Sequence, residues 1–517
     1  MSRSAIHRTI YIVTLCLLAG AMTTSVFFAN MMWVLLLANW VFEWNWSEKF
    51  AAFRSQHLLQ AFLVLLAVHV VWLVGTSNWG YALFDLQKKL PLFVIPLVVL
   101  TSAPLNRKEL IGVGFCYMAT VLVVSIIGLV RYLTIPDLPY RNIVPYISHI
   151  RFGMNVCMTL VLLAFVAFKC RKTWFYLLSS AVGGWLLVFL LILHAYTAFV
   201  ILFVLGWVLV MCFGSRLPQT MRRVVTAVFL AVSVASVALV GYYCYDYYHL
   251  RPHATQPLAA YTPNGHRYCH LDDGVVENGN YIHTYICETE MRQQWAKMSS
   301  VPFDSATAGA WTIYPTLLRY LNGMGVTKDS LGMSHLTPRD VAAIEKGIAN
   351  PVYLQPGPRK MVYVMCYEYE NYRCYRSVSN FTMLQRFELW RNGFRVFAQH
   401  PILGVGTGDV VDQCHERLER THSPLATTQL HTHNQYLNFL VAFGLLGFGI
   451  IVWFFVRALR CGKVCRRILF SAFLCILLVS FLSEDTLETL AGITFCALGF
   501  SILGHPSKVC EKHLFNK

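Results

Sequence analysis

Residues 431–447 read HTHNQYLNFLVAFGLLG, and in them polar, titratable side chains run directly into an apolar helix. On a 3.6-residue period, one face of that helix carries His433, Leu437, Leu440, Gly444 and Gly447. Small residues three positions apart allow another membrane helix to approach closely. We therefore expect a tightly packed helix that fixes His433 at the membrane boundary, either as a catalytic group or as an ordinary interfacial histidine beside packing glycines.

The composition places the whole chain in the membrane class. Of its 517 residues, 56% are hydrophobic and only 13% are charged, and the mean hydropathy is +0.51. A soluble domain carries about a quarter of its residues as charged side chains. We therefore expect an all-α polytopic membrane protein.

Apolar runs suited to crossing a bilayer divide the chain into three parts. Nine occur in the first half, at about 9–29, 31–43, 57–77, 90–103, 110–134, 152–168, 174–193, 196–214 and 223–243. Three more follow at about 434–456, 468–483 and 487–504. The runs 31–43 and 90–103 are shorter than the roughly 20 residues that span hydrocarbon unaided, and the first run is expected to be a retained anchor. The pattern predicts about 12 transmembrane helices, with helices 1–9 in residues 1–243, a large loop domain between helices 9 and 10 in residues 244–432, and helices 10–12 with a cytoplasmic tail in residues 433–517.

The Lys and Arg residues predict the orientation. With a cytoplasmic N-terminus, 20 of the 42 lie in cytoplasmic segments and only 5 lie in the short opposite loops. The other 17 lie in residues 244–432, where 17 acidic residues balance them. The net charge of +16 is therefore a property of the cytoplasmic rim, which predicts contact with membrane lipids and no nucleic-acid binding. The loop domain is expected to face away from the cytoplasm.

The loop domain carries signals of its own. Residues 337–347 begin with Thr-Pro-Arg-Asp, a helix cap followed by proline at the first position, and end in glycine, which predicts a short helix. Six cysteines lie in this part of the chain. In an oxidising compartment they allow disulfide pairs such as Cys269 with Cys287 or Cys366 with Cys374.

The stretch before the opening motif predicts a helix along the membrane surface and then a tight loop. From about 380 to 397 an aromatic face recurs at spacings of three and four residues, formed by Met383, Phe387, Trp390, Phe394 and Phe397. Arg386 lies one turn before Trp390, and Arg391 falls on another side. Residues 400–409, HPILGVGTGD, lack the flanking strand and helix of a dinucleotide site, so we expect a loop with close backbone approach.

Arg151 lies in the first turn of the sixth predicted crossing, within SHIRFG at residues 148–153. A single Arg at such a helix mouth is commonly a snorkelling side chain. Arg151, Arg386 and His433 are, however, all expected at the external membrane face. Two fixed cations beside one titratable base suit a pyrophosphate and an attacking hydroxyl, so we expect these three residues to form the site.

No metal-ligand pattern stands out in the sequence. The adjacent acidic pairs Asp272-Asp273 and Glu484-Asp485 are expected to be solvated loop charges. A zinc site could be built from histidines alone, using His431 and His433 with His415 or His422. Because no cysteine or carboxylate frames that set, we expect no metal and no other cofactor, with cations neutralising the charge of a leaving group.

These residues carry a family resemblance. The pattern His433-Asn434, nine residues and then Gly444-x-x-Gly447 resembles the signature of the O-antigen ligases. Residues 386–406 are similar to the upstream half of the wider ligase and polymerase family, although Gln385 stands where a small residue is expected, which leaves Arg391 as an alternative to Arg386. The match covers about 376–447 together with Arg151.

The resemblance implies a GT-C-like glycosyltransferase of the bacterial inner membrane with its active site on the periplasmic side. Such an enzyme would transfer a glycan from undecaprenyl pyrophosphate to a sugar hydroxyl of lipid A-core in lipopolysaccharide biosynthesis, without a metal and with inversion of the anomeric configuration. By position, His433 would be the general base or would orient the acceptor hydroxyl, with His431 as a competing base. Arg151 and Arg386 would bind the leaving pyrophosphate.

The remaining residues of the resemblance have supporting roles. Substrate binding is expected from Asn434, His431, Trp390 and Arg391, and helix packing from Gly444 and Gly447. O-antigen polymerases and protein O-oligosaccharyltransferases share the expected fold and arginines and stay open as alternatives. A secondary transporter is an alternative from another class, although few acidic residues are expected at mid-membrane depth and the two halves of the chain are unequal.

Overall fold

The computed structural model describes residues 3–136, 138–170, 172–216, 218–251, 257–271, 273–307, 312–355, 357–375, 382–427, 431–461 and 467–504. Helices dominate these residues, as the sequence predicts. The chain forms two compact units, the first made of Met1–Thr226 with Glu388–Lys517 and the second of Ala227–Phe387. Residues 388–432 thus group with the first unit, whereas the sequence analysis assigns them to the loop domain.

The elements are numbered here in chain order. The helices that begin in the first half are α1 (Arg3–Thr24), α2 (Val26–Phe42), α3 (Trp46–Ser55), α4 (His57–Val71), α5 (Trp79–Thr101), α6 (Arg107–Thr134), α7 (His149–Cys170), α8 (Thr173–Ile192), α9 (Tyr196–Phe213) and α10 (Gln219–Tyr248). Two short antiparallel strands follow, β1 (Val276–Glu277) and β2 (Asn280–Tyr281). The later helices are α11 (Glu288–Met298), α12 (Ile313–Met324), α13 (Ser330–Met333), α14 (Pro338–Glu345), α15 (Pro358–Tyr375), α16 (Thr382–Gln399), α17 (Val410–Arg420), α18 (Gln435–Cys461), α19 (Arg467–Ser480) and α20 (Leu490–Gly504).

The described helices are those of a multi-pass membrane protein. Six are long and apolar enough to cross a bilayer, namely α1, α6, α7, α8, α10 and α18, and α2 with α3 adds a seventh if that bent pair is one span. Four shorter apolar helices occur in addition, α4, α9, α19 and α20. The expectation of about 12 crossings therefore stays a prediction.

The first unit packs its helices around one apolar core. α1 packs against α2 and α6, α5 against α20, α4 against α18, and α19 against α7 and α9. The buried rings of Phe62, Phe454 and Phe500 meet edge-on or tilted, with centroids 4.9–5.6 Å apart. Since these rings come from α4, α18 and α20, they hold side by side the helices that carry the candidate site.

The second unit has its own apolar core, in which Trp295 and Tyr320 are the largest fully buried side chains. The predicted helix at 337–347 is confirmed as α14, because Thr337 and Asp340 cap each other's backbone N–H groups. Gly347 follows the helix with φ of +86°, a left-handed angle that glycine adopts without strain.

The pairing of Cys366 with Cys374, one of those that the sequence leaves possible, is not formed. Both lie in α15, and eight residues of helix separate two positions by about 12 Å along the axis. The Cys366 sulfur instead lies 3.9 Å from the sulfur of Cys244 in α10. Cys269 and Cys287, the other expected pair, are both thiols in the structure.

Candidate active site

Helix α18 is interrupted at Gly444, one of the two glycines of the opening motif. Its backbone angles, φ +60° and ψ −167°, belong to a region that is almost restricted to glycine, and the backbone groups on either side lose their helical partners. The loop 401–406 replaces those partners. Its N–H groups donate to the carbonyls of residues 441–442 at 2.9 Å, and the N–H groups of residues 445–446 donate to loop carbonyls at 2.8 and 3.1 Å. Loop and helix therefore form one hydrogen-bonded unit.

The partner of Gly444 is thus a loop, whereas the sequence analysis expected another helix and an unbroken helical face. A Cβ atom on Gly444 would overlap the carbonyl of Ile402, and one on Gly404 would lie 2.5 Å from the backbone of Ala442. The predicted close backbone approach of the 400–409 loop is confirmed. A Cβ atom on Gly447 would overlap the Cβ of Phe443 in the same helix and would lie 3.3 Å from the indole ring of Trp72, the C-cap residue of α4.

The turn that carries His433 is built around Asp485, in the loop between α19 and α20. Asp485 accepts the backbone N–H groups of His433 at 2.8 Å and Asn434 at 3.0 Å and the hydroxyl of Thr432 at 3.3 Å. His433 has φ of +50°, an uncommon conformation for a residue other than glycine. The Asn434 side chain accepts the N–H of Leu437 at 3.0 Å and so caps α18. A carboxylate 52 residues away thus fixes the motif's backbone.

The same carboxylate faces the imidazole. Nδ1 of His433 lies 3.6 Å from Oδ2 of Asp485, with 35% of the histidine side chain exposed but only 6% of the aspartate. Burial raises the pKa of the Asp485 carboxyl to about 6. The Asp485 carboxyl lies beside Nδ1 of His433, while about a third of the histidine side chain is exposed.

Glu484, the neighbour of Asp485, faces Arg151. The guanidinium Nη2 of Arg151 lies 3.8 Å from Oε2 of Glu484. Glu484 and Asp485 are buried, with 7% and 4% of their surface exposed, so the expectation that this acidic pair is solvated is wrong. Asp272, of the other expected pair, lies outside the described residues. Two consecutive carboxylates thus bring together Arg151 and His433, two of the three residues that the sequence predicts for the site.

A second ion cluster lies beside this pair and was not predicted from the sequence. In α5 the ammonium of Lys89 lies 2.6 Å from Oδ2 of Asp85 and 3.1 Å from Oε2 of Glu488, and all three residues are buried. Glu488 also accepts the side-chain N–H groups of Gln435 at 3.2 Å and Asn438 at 2.8 Å. The cluster ties α5 and the 484–488 loop to the start of α18. The sequence feature that indicates this cluster is an aspartate one turn before a lysine in an apolar helix.

Arg151 lines a cavity of about 670 Å³. Its cationic lining consists of Arg151 and Lys88, and polar side chains of Gln87 and Ser148 lie near them. The other polar lining residues are Asn30, Tyr146 and Thr489. The apolar lining is contributed by Val26, Trp33, Phe84, Leu90, Pro91, Ile147, Leu490 and Ala491. Cations in a largely apolar cavity suit an anionic head group that carries a hydrocarbon chain.

A family model described as O-antigen ligase matches residues 181–452, more than half of the chain. The chain belongs to the O-antigen ligase family. The matched range includes Arg386, the 400–409 loop and the 431–447 motif, so the resemblance seen in the sequence is confirmed. A comparison with curated proteins found no match.

The two histidines of the ligase motif occupy different surroundings. His431 lines a cavity of about 20 Å³ together with Asp85, Lys89, Asn438 and Glu488, room for about one water molecule. His433 lies 3.6 Å from Asp485, with 35% of its side chain exposed. The choice between the two as base stays a prediction.

The other residues expected from the ligase resemblance lie on α16. Trp390 packs against the core of the first unit, and Arg391 lies 3.8 Å from Glu388 with 53% of its side chain exposed. Gly393 lets α16 approach the motif, since a Cβ atom there would lie 3.0 Å from Leu437. Arg386 belongs to the second unit, so its place in the site stays a prediction.

The histidine zinc site finds no support in the described part of this ligase-family chain. The three-residue group whose ligand atoms lie within 4.8 Å of one another there is His266, Cys287 and Glu290, in the second unit. His415, a member of the expected zinc set, has its Nε2 3.3 Å from Glu419. Glu290 accepts hydrogen bonds from Ser330, Thr262 and His266, which accounts for its burial without a cation.

Proposed function

We propose that the protein is an O-antigen ligase that transfers a finished glycan from undecaprenyl pyrophosphate to a sugar hydroxyl of lipid A-core. The reaction would take place at the periplasmic side of the bacterial inner membrane, without a metal and with inversion at the anomeric carbon. Membership of the O-antigen ligase family supports a glycosyltransferase that handles lipid-linked glycans. The excess of Lys and Arg in the predicted cytoplasmic segments supports the periplasmic placement.

The observation that carries the proposal is the pair Glu484-Asp485. One carboxylate faces the cation that would bind the leaving group, and the next holds the residue that would receive the proton of the nucleophile. A displacement at an anomeric carbon needs these two functions at opposite ends of the reacting bond. The two carboxylates supply them at adjacent positions of one buried loop.

The proposed reaction is a single displacement. The acceptor hydroxyl oxygen attacks the anomeric carbon while the bond from that carbon to the pyrophosphate oxygen breaks, and the hydroxyl proton passes to Nε2 of His433. Asp485, nearest to Nδ1, stabilises the imidazolium that forms. Arg151 neutralises the charge that develops on the pyrophosphate, and Arg386 is proposed as a second cation on the strength of the family resemblance.

Complementation tests this function. A ligase-null bacterium with the cognate glycan genes would receive the wild-type chain, His433→Ala or the matched control His57→Ala. His57 is an exposed histidine at the start of α4. We expect wild type and His57→Ala to restore long glycan on lipid A-core. His433→Ala at equal expression should lose roughly 10²- to 10⁴-fold of the transfer rate, the usual contribution of a positioned general base.

The outcomes separate the related activities. If wild type leaves lipid A-core bare but lengthens lipid-linked glycans, the enzyme is a polymerase, and if it glycosylates protein, it is an oligosaccharyltransferase. Either result would refute lipid A-core as the acceptor. Full activity of His433→Ala would refute the role of His433.

A further inference from the structure

Two cysteines of the second unit face each other from different helices. The sulfur of Cys244 in α10 lies 3.9 Å from the sulfur of Cys366 in α15, although 122 residues separate them along the chain. Both are thiols in the structure. The sulfur atoms of a disulfide lie about 2.0 Å apart, so this pair is close to van der Waals contact and needs a displacement of about 2 Å to bond. Rotation about the side-chain bonds can supply it.

The helix faces that carry the two sulfurs are held together by other contacts. The ring of Tyr247 in α10 packs against the ring of Tyr363 in α15, with centroids 5.6 Å apart, and both residues are buried. Each tyrosine lies three residues from the cysteine of its own helix and therefore on the same face. Asp246 in α10 also accepts a hydrogen bond from Arg359 at the start of α15 at 3.1 Å. The approach of the sulfurs is thus a property of the packed fold.

The two sulfurs differ in their access to solvent. Cys366 is buried, with 5% of its surface exposed, whereas Cys244 is half-buried at the edge of the same apolar cluster. Burial raises the pKa of the Cys366 thiol to about 12, which makes it a poor first nucleophile. An oxidant in solution therefore reacts first at Cys244, and Cys366 is placed to resolve the product.

The expected topology places this pair where disulfides form. The distribution of Lys and Arg predicts that residues 244–432 face away from the cytoplasm. Thiols on that side of the membrane meet an oxidising environment, in which disulfides persist. Two thiols in contact there are oxidised by any exchange partner with a higher reduction potential.

We propose that Cys244 and Cys366 form a disulfide that links α10 to α15, made by exchange with a protein disulfide oxidant outside the cytoplasm. The Cys244 thiolate attacks one sulfur of the oxidant's disulfide, and the other oxidant sulfur leaves as a thiolate. The Cys366 thiolate then attacks the Cys244 sulfur of the mixed disulfide, and the second oxidant sulfur leaves. Two electrons and the two thiol protons pass from the pair to the oxidant, which ends as a dithiol.

The link would stabilise the second unit. The helices α11 to α14 lie between the two cysteines in the sequence, so the closed loop contains most of that unit. A disulfide acts mainly by restricting the unfolded chain, and its effect grows with the length of the loop. We therefore expect oxidised wild type to melt roughly 5–15 °C above the reduced protein.

Peptide mapping tests the link directly. Free thiols are blocked with N-ethylmaleimide in cells that express the full-length chain, which is then purified in detergent without reductant and digested with trypsin. Cleavage after Lys and Arg, except before Pro252, gives peptides 224–267 and 361–373 with one cysteine each. We expect these peptides as one species that reductant separates. Cys244→Ser should lack it.

Cys374→Ser is the matched control for the mapping. Cys374 is an exposed cysteine of α15 whose sulfur lies 4.0 Å from Glu370, and the linked species should persist without it. Recovery of the two peptides from wild type only as separate, alkylated species would refute the disulfide, as would a link from Cys366 to any other cysteine.

Thermal unfolding with and without reductant measures the consequence. Reductant should lower the melting temperature of wild type and of Cys374→Ser, and it should leave Cys244→Ser, already at the level of reduced wild type, unchanged. Equal melting temperatures of oxidised and reduced wild type would refute the stabilising role. Neither measurement uses a glycan, so both outcomes are independent of the proposed function.

Discussion

Each unit of the molecule buries an ion cluster, and the two clusters differ in how completely their donors are used. In the second unit, Glu277 is fully buried and its two oxygens accept from Arg319 at 3.0 and 3.1 Å and from Asn350 at 2.8 Å, with Tyr363 donating as well. In the first unit Lys89 has short contacts of 2.6 and 3.1 Å, but Lys88, Arg151 and His433 lie 3.6–3.8 Å from their carboxylate partners. A saturated cluster stabilises a fold, whereas an unsaturated one beside a cavity keeps donors for a ligand.

Breaking the saturated cluster should have the largest effect. Glu277→Ala leaves the guanidinium of Arg319 buried without its carboxylate, and we expect a loss of about 3–5 kcal/mol in the free energy of unfolding. The transfer rate per folded molecule should stay unchanged. Thermal unfolding in detergent measures the first and the transfer assay the second. Glu288→Ala, which removes an exposed partner of Arg292 in the same unit, is the control and should cost below about 1 kcal/mol. Equal losses for both variants would contradict the comparison.

The backbone support of the active site offers the next test. Gly444→Ala places a side chain in a conformation reserved for glycine and against the carbonyl of Ile402, so we expect a loss of about 3 kcal/mol or more together with reduced transfer. Gly75→Ala is the matched control, because Gly75 also has a positive φ, +88°, but a Cβ atom there meets nothing within 4 Å. It should cost only about 1 kcal/mol. Melting temperatures and transfer rates of the two variants are the measurements. A larger loss for Gly444→Ala would show that steric overlap causes it, and equal losses would assign it to the backbone angle.

The stability contribution of Asp485 should respond to pH in the opposite sense to that of a stabilising ion pair. Burial raises the pKa of Asp485 from its ordinary value of 3.8 to about 6, so the folded state binds this proton more tightly than the unfolded state. Its contribution to stability is complete below pH 4 and is lost as the pH rises through 6, an effect of about 2–3 kcal/mol. Transfer should instead rise over this range, because the ionised carboxylate is the form that stabilises a protonated His433.

Asp485→Asn tests that opposition. The variant should lack the loss of stability between pH 4 and pH 7 that wild type shows, and it should transfer glycan at least about tenfold more slowly at pH 7. Melting curves of both proteins at intervals of half a pH unit provide the measurement. Parallel curves for wild type and variant would show that Asp485 does not titrate in this range, and an active variant would remove it from the mechanism.

The predictions that were confirmed depend on residues that lie close together in the sequence. Thr337 and Asp340 cap α14 because both partners lie within one turn, and the glycines of 400–409 required close backbone approach whatever their partner was. The apolar runs identified a multi-pass helical protein because membrane insertion depends on local hydropathy. His433 and Arg151 are polar groups at the mouths of apolar helices, and both face the loop that carries Glu484 and Asp485, although their roles stay predictions.

The predictions that were wrong concern residues whose contact partners lie far away in the sequence. Asp485 lies 52 residues from His433 along the chain, and nothing in its local sequence, SEDTLE, distinguishes it from a solvated loop. The spacing of Gly444 and Gly447 predicts helix packing, whereas the loop that contacts Gly444 lies about 40 residues upstream. Cys244 and Cys366 are 122 residues apart, beyond any argument from spacing.

The break in α18 also constrains how the chain enters the membrane during synthesis. The carbonyls of Val441 and Ala442 are satisfied by a loop that leaves the ribosome first, and that loop is attached to the end of α4 through Thr407, whose N–H and hydroxyl donate to the carbonyls of Trp72 and His69. In lipid, each unpaired backbone group would cost several kcal/mol. Full pairing of the α18 backbone in the membrane therefore requires both the 401–407 loop and the end of α4, which are synthesised before α18.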